Sequence, residues 1–118
     1  KPIRIFGDGS AVRRFLFVED IADAHVKALS PKAENQIYNL EGAEDITIKR
    51  LAEAVATYVD GTEIEYVEDP SRRGELQVKG VEISNQKVKN DLGWSPTVTL
   101  EEGVRRTVEW FKKDQGYE

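Results

Sequence analysis

The stretch RIFGDGSAVRRFLFVED, residues 4–20, decides how the first part of the chain folds. Two short apolar runs, 3–6 and 15–18, lie on either side of a Gly-Asp-Gly turn. Short apolar runs joined by a glycine turn are typical of neighbouring strands. We therefore expect a hairpin here, whose second strand is apolar throughout and buried.

Two arginines, Arg13 and Arg14, follow this turn in a chain whose net charge is −5. Neighbouring residues of a strand point to opposite faces, so only one of the two can face a given site, and the other is expected to point to solvent. A guanidinium is a planar fork of donors that suits phosphate oxygens and flat rings. From the residues alone, two interpretations stay open: surface charge on an edge strand, or contact with an anion.

The rest of the pattern predicts four helices. Asp20 is expected to cap a helix that runs to about Leu29, and Thr47 and Ser84 are expected to cap the next two. The stretch TLEE, residues 99–102, is a capping box that predicts the start of the last helix. Glycines at the expected ends, Gly61 among them, favour a left-handed backbone that stops a helix.

The first predicted helix carries Ala22, Val26 and Leu29 on one side, which predicts a face towards the core. Further strands are indicated by QIYNLEG, residues 36–42, and by the alternating EIEYVED, residues 63–69. The order β, β, α, β, α, β, α, α has too few regular alternations for a doubly wound sheet. The fold class that we predict is a small mixed α+β domain with short strands and about four helices.

Composition narrows the possible functions. The 118 residues predict one domain, 1–118, and 33% charged with 39% hydrophobic residues is ordinary for a soluble globular protein. The acidic balance gives no field that would attract nucleic acid. With no cysteine and one histidine, His25, disulfides and thiolate or histidine metal sites are not expected. No apolar run reaches the length of a membrane span and no signal peptide is visible, so we expect a cytoplasmic protein with no membrane partner.

The absence of methionine bears on where the chain comes from. No methionine occurs anywhere, and the chain starts at Lys1 within a predicted strand. This predicts a fragment of a longer protein. The alternative is a trimmed chain whose true start is Lys1.

Motifs for cofactor chemistry are missing from the sequence. There is no G-x-G-x-x-G and no tyrosine followed four residues later by lysine. The GDG stretch is followed by a predicted strand, whereas a phosphate loop leads into a helix. A second arginine cluster, Arg72-Arg73-Gly74-Glu75, places a donor and a carboxylate in one loop. Solvated loop charge remains the alternative to a binding role.

The order of the motifs carries a resemblance. GDGSAVRRFLFVEDIADAHVKAL (7–29), YNLEG (38–42), ITIKRLAEAV (46–55), RRGE (72–75) and ISNQKVKNDLGWSPTVTLEEGVRRTVEWFK (83–112) follow one another in the chain. Over essentially its whole length the chain resembles the C-terminal part of the NAD-dependent epimerase/dehydratase family. These are extended short-chain dehydrogenases that act on nucleotide sugars, such as the UDP-glucose 4-epimerases.

The resemblance implies a function and a set of site residues. The parent would oxidise a sugar at C4 with NAD, rearrange it and reduce it again. A Rossmann domain, absent here, would hold NAD and the catalytic Tyr/Lys, so this chain has no catalytic residue and would be inactive alone. Arg13 would contact the substrate diphosphate, Arg72 the diphosphate or base, and Glu75 the ribose hydroxyls. Partners would be a nucleotide sugar and the N-terminal Rossmann domain, and family dimers form through the other domain.

The chain departs from the family pattern in three places. Arg14 stands where Asp or Ser is usual, Glu75 where Asp is common, and Phe17 where Tyr or His is frequent. The sugar and the reaction subclass, including a related reductase, therefore stay open. A different class of function also stays open: an independent, non-catalytic module that binds a nucleotide or a protein through its arginine loops.

Overall fold

The computed structural model of the protein describes residues 1–68, 71 and 83–116. These residues form short strands and four helices, and the small mixed fold class is confirmed. The strands are β1 (Ile3–Phe6), β2 (Val12–Arg13), β3 (Ile46–Thr47) and β4 (Ile64–Val67). The helices are α1 (Val18–Lys27), α2 (Ile48–Tyr58), α3 (Gln86–Leu92) and α4 (Leu100–Gln115), with a turn of 3-10 helix at Pro31–Ala33.

The chain falls into two compact units. The first unit comprises the described residues within 1–13, 45–80 and 99–118, and the second those within 14–44 and 81–98. Each unit has its own cluster of buried apolar side chains.

The strands of the first unit form two separate pairs. β1 pairs in parallel with β4, with Ile3 opposite Ile64, and β2 pairs antiparallel with β3, with Val12 opposite Thr47. The predicted hairpin is therefore wrong, because the strands on either side of the glycine turn do not pair with each other. The turn is instead held by the first residues of α2, as described below.

The core of the first unit lies between α2 and α4. Ile46, Leu100 and Val104 are buried there, and the partly buried apolar residues of both helices pack against them. Two of the predicted caps are present, since the Thr47 side chain accepts from the Arg50 N–H and the Thr99 side chain accepts from the Glu102 N–H at 3.3 Å. The predicted Ser84 cap is wrong, because the cap position of α3 is held by Asn85, although the Ser84 hydroxyl accepts from the Gln86 N–H.

The capping box of α4 is only half formed. The Glu102 carboxylate does not return to the start of the helix but binds the next turn. It accepts from Arg105 Nη2 and from Arg106 Nε, each at 2.7 Å. Two guanidinium donors within one turn are a stronger attraction for a carboxylate than a single backbone N–H.

The second unit is built on α1 and α3. Ala24, Val88 and Trp94 form its buried cluster, against which Leu16, Tyr38, Leu40 and Leu92 pack. The predicted strand at 15–18 is wrong, because Val18 already begins α1 and is 68% exposed. Within this apolar run, Leu16 packs on the buried cluster, whereas Phe15 is exposed.

Asp20 is not the cap of α1. The residue in the cap position is Phe17, which makes no side-chain capping bond, and Asp20 lies buried in the first turn. Its carboxylate accepts from the backbone N–H groups of Thr97 and Val98 and from the Thr97 hydroxyl, at 2.9 to 3.2 Å. These tertiary donors outcompete the cap because two backbone N–H groups and a hydroxyl converge on one buried carboxylate.

The predicted core face of α1 is also wrong. Ala22, Val26 and Leu29 are exposed, and the buried residues of the helix are Asp20 and Ala24. The spacing of the three residues does correspond to one side of a helix, but that side points away from the core of the second unit.

The stretch QIYNLEG forms no strand in the structure. Tyr38 and Leu40 pack on the buried cluster, as alternation requires, but Ile37 is 82% exposed. Two side chains supply hydrogen bonds that a neighbouring strand would otherwise make. Lys87 Nζ donates to the Ile37 carbonyl. The side-chain amide of Asn85 binds both the backbone N–H and the backbone carbonyl of Glu41.

Candidate functional site

The glycine loop of the first unit ends against a helix. Gly9 has a φ of +75°, and the carbonyls of Gly9 and Ala11 accept from the N–H groups of Lys49 and Ile48, each at 3.0 Å. A side-chain carbon added at Gly9 would lie 3.0 Å from the Lys49 Cβ, so glycine fits this close approach. The loop carbonyls thus occupy donors at the start of α2 that a phosphate would otherwise use.

Asp8 shapes the same loop from its own side chain. Its Oδ1 accepts from the Ser10 hydroxyl at 2.6 Å and from the Ser10 N–H at 2.9 Å. The hydrogen bond from the Ser10 hydroxyl has the largest effect, and together with the bond from the Ser10 N–H it lowers the pKa of the Asp8 carboxyl from its ordinary value. The loop is therefore closed by a local turn that leads into β2.

Arg13 is the last residue of β2 and is exposed. Its backbone lies opposite Ile46 of β3, and its Nη1 donates to the Val12 carbonyl at 2.8 Å. Among the described residues it has no carboxylate partner. The guanidinium therefore keeps donors that an anion could use.

Arg14 has a different environment. Its Nη1 donates to Glu41 Oε1 at 2.7 Å, and the Glu41 side chain is only 9% exposed, against 42% for Arg14. The prediction that Arg14 points to solvent holds for its exposure, but the residue also pairs with a buried acid. Its charge is balanced within the second unit.

The neighbourhood of this pair is tightly built. Asn85 accepts from the Glu41 N–H and donates to the Glu41 carbonyl, both at 2.8 Å. At Gly42 an added side-chain carbon would lie 2.0 Å from the Phe15 carbonyl oxygen, so only glycine fits there. Sequence reasoning missed the role of Glu41 and Asn85; the one available signal was a glutamate placed directly after the apolar alternation of QIYNL.

The other predicted binding residues, Arg72 and Glu75, lie outside the described residues. Trp94 is fully buried, and its Nε1 donates to the Asp20 carbonyl at 2.8 Å. His25 and Asn39 are exposed. The structure thus places Arg13 at an exposed strand end.

Two further properties concern the part of the chain that the structure describes. No three metal-binding side chains of the histidine, cysteine, aspartate and glutamate types come together there. None of the helices there combines the length and the apolar character of a membrane span.

Comparison with known proteins defines the class. The family model described as GDP-mannose 4,6 dehydratase matches residues 1–107. The chain is 37% identical over 112 residues to a UDP-glucose 4-epimerase of Mycolicibacterium smegmatis. This match covers 95% of this chain and 35% of the relative. The chain belongs to the NAD-dependent epimerase/dehydratase family of extended short-chain dehydrogenases, as the motif order indicated.

Two solved structures show the same fold. A UDP-glucose 4-epimerase from Thermotoga maritima, determined with UDP-glucose, has a TM-score of 0.74 at 30% identity, over 98% of this chain and 36% of the other. A dTDP-glucose 4,6-dehydratase from Bacillus anthracis, determined with NAD, has a TM-score of 0.72 at 28% identity, over 99% and 36%. The chain spans about a third of the length of the relatives that it matches.

Proposed function

We propose that this chain is the substrate-binding C-terminal part, 1–118, of an NAD-dependent nucleotide-sugar epimerase or dehydratase. Its work is to hold the nucleotide diphosphate, through Arg13 and Arg72, and the ribose hydroxyls, through Glu75. The observation that carries the proposal is the match along nearly the whole chain to about one third of such enzymes.

The environment of Arg13 supports its part in this proposal. Of the two adjacent arginines, Arg14 is paired with a buried glutamate, whereas Arg13 is exposed with no carboxylate partner among the described residues. A guanidinium that no described carboxylate neutralises can bind a diphosphate without first breaking an ion pair with one of them. Such a charge-assisted bond contributes about 1.5–3 kcal/mol.

The glycine loop of this chain does not fit a dinucleotide cofactor. The glycine loop leads into β2 and turns its own carbonyls towards α2, so it offers no helix start to a pyrophosphate. NAD, when bound by the whole enzyme, supplies the exchange of hydride with the sugar carbon. In our proposal this chain contributes orientation, so that the sugar reaches a cofactor held by the preceding part.

A ligand titration tests the proposal. We expect localised amide shifts around Arg13, Arg72 and Glu75 when UDP or UDP-glucose is added, and none with NAD. Arg13→Ala should weaken UDP affinity by about tenfold or more, the equivalent of one charge-assisted bond. The matched control is Arg4→Ala, which removes the same charge from an exposed strand position that has only a weak 3.5 Å partner in Glu65.

The outcomes separate the candidate functions. Equal loss of affinity in Arg4→Ala and Arg13→Ala would mean that net charge, not a site, binds the nucleotide, and would contradict the proposal. If the chain alone shows no shifts at millimolar UDP, the same titration and variants are run on the full-length parent. A second, independent check is the upstream reading frame, where we expect a glycine-rich β-α-β unit and a Tyr-x-x-x-Lys; a start codon directly before Lys1 would favour the independent module.

A further inference from the structure

Immediately after Arg13, the chain enters a cluster of side-chain hydrogen bonds that lies within the second unit. Arg14 Nη1 donates to Glu41 Oε1 at 2.7 Å. The side-chain amide of Asn85 accepts from the Glu41 N–H and donates to the Glu41 carbonyl, each at 2.8 Å. Glu41 is thus bound through its side chain and through both its backbone groups, and we call Arg14, Glu41 and Asn85 the Glu41 clamp.

The Glu41 clamp contains a buried charge. Glu41 and Asp20 are the buried acidic residues among those that the structure describes. A carboxylate withdrawn from water loses its hydration, and a guanidinium offsets that loss only when the two groups meet in a close geometry. An exposed pair such as Asp23 with Lys27 carries no such demand. The Arg14 side chain is therefore held in one orientation by the acid that it neutralises.

The backbone beside the clamp is fixed by a close approach. There is no room for a side-chain carbon at Gly42 next to the Phe15 carbonyl, so the backbones of these two residues pass close together. Arg14 precedes Phe15, and Glu41 precedes Gly42, so the ion pair and the backbone contact hold the same two stretches of chain. Two attachments at adjacent residues resist rotation of the chain about its own axis.

Arg13 ends a strand that by itself constrains the residue little. β2 has only two residues, and its described pairing ends with Arg13 opposite Ile46. The Arg13 side chain is exposed, and its guanidinium donates to the Val12 carbonyl. Since successive side chains of an extended chain point to opposite sides, the orientation imposed on Arg14 sets the direction in which the Arg13 side chain leaves the backbone.

We propose that Glu41 is a positioning residue, which acts through Arg14 to hold Arg13 in the orientation that binds the nucleotide diphosphate. The inference rests on the proposed function and deepens it, since it adds to that site a residue that acts without a contact to the ligand. A binding group that is already oriented loses less conformational entropy when the ligand binds. Glu41 therefore raises the affinity for the nucleotide by limiting the freedom of its neighbour's neighbour.

Isothermal titration calorimetry of the full-length parent with UDP tests this role in a cycle of Arg13→Ala, Glu41→Ala and the double variant. We expect Glu41→Ala to weaken UDP binding about threefold, the effect of leaving one long side chain free to reorient. In the Arg13→Ala background, Glu41→Ala should weaken binding no further, because the group that Glu41 positions is gone. Leu92→Ala is the matched control, which removes packing from the buried cluster of the same unit and should leave UDP affinity unchanged.

Three results would overturn the inference: wild-type UDP affinity in Glu41→Ala, an equal loss of affinity in Leu92→Ala, or a further threefold loss in the double variant. If Glu41→Ala does not fold, Glu41→Gln takes its place in the cycle, because it keeps the size of the side chain and removes its charge. A failure of the proposed function is distinct from these results, since Arg13→Ala would then itself bind UDP as tightly as the wild type.

Discussion

At the scale of single residues, one buried carboxylate organises the second unit. Asp20 has no role in capping α1; it gathers the N–H groups of Thr97 and Val98 and the Thr97 hydroxyl around one side chain. Its own carbonyl receives the indole N–H of Trp94. The residue thus fixes the segment after α3 to the first turn of α1.

Asp20→Ala should therefore destabilise the protein strongly. Three donors in part-buried hydrogen bonds would lose their acceptor. We expect a loss of about 3 kcal/mol in the free energy of unfolding, measured with urea. Asp23→Ala is the matched control on the same helix, where an exposed pair with Lys27 is lost and the cost should stay below about 0.5 kcal/mol. Equal costs for the two variants would show that the Asp20 contacts contribute little.

The Arg14–Glu41 pair leads to a second prediction. Removing Glu41 leaves Arg14 without its 2.7 Å partner and removes a nearly buried side chain. We expect Glu41→Ala to cost about 2 kcal/mol, and a double-mutant cycle with Arg14→Ala to give a coupling of about 1 kcal/mol or more. UDP affinity should change far less in Arg14→Ala than in Arg13→Ala; the reverse order would move the anion-binding role to Arg14.

At the scale of elements, the limits of sequence reasoning follow from what a local pattern can contain. The Thr47 cap and the left-handed backbone of Gly61 were predictable because each depends on neighbours within a few residues, although α2 already ends at Tyr58 with Val59 in its cap position. The pairing of β1 with β4 was not predictable, since it joins residues 61 positions apart. The exposed location of Arg13 agrees with its prediction as a binding residue, a role that stays a prediction.

The two sides of α1 show the same limit. Periodicity found the stripe of Ala22, Val26 and Leu29 and could not tell which layer it faces. A carboxylate at Asp20 looked like a cap because its true partners, Thr97 and Val98, come 77 and 78 residues later. The side chains of QIYNL do alternate between the core and solvent, but no strand among the described residues pairs with this stretch.

The first turns of α4 carry a pH-sensitive network. Bonds from Arg105 and then Arg106 lower the pKa of the Glu102 carboxyl to about 2 from an ordinary value of 4.5. Because the folded pKa is the lower one, the contribution of this group is fully present above pH 4.5 and is lost as the pH falls towards 2. The helix start is therefore expected to weaken in acid.

Glu102→Gln should flatten this dependence. Between pH 4.5 and 2, the melting temperature of the variant should fall less steeply than that of the wild type, because there is no longer a carboxylate to protonate. Glu63→Gln, an exposed glutamate away from the network, serves as the control and should keep the wild-type slope. A Glu102→Gln profile parallel to the wild type would contradict the assignment.

At the scale of the whole molecule, binding and chemistry are expected to separate. The 118-residue chain should show no epimerase or dehydratase turnover with NAD and UDP- or dTDP-glucose, whereas the full-length parent should. The measurement is a coupled assay with both chains at equal concentration. Turnover by the short chain would require a cofactor site that the glycine loop, closed against α2, does not provide.

The pairing of β1 with β4 also determines how early the chain can fold during its synthesis. Ile3 cannot find Ile64 until more than half of the chain has left the ribosome, and Asp20 waits longer still for Thr97. Contacts between such distant positions slow folding, and mixed domains of helices and strands fold at rates between those of helical bundles and of all-β proteins. β1 and the first turn of α1 therefore lack these partners while the residues between them and Ile64 and Thr97 are being synthesised.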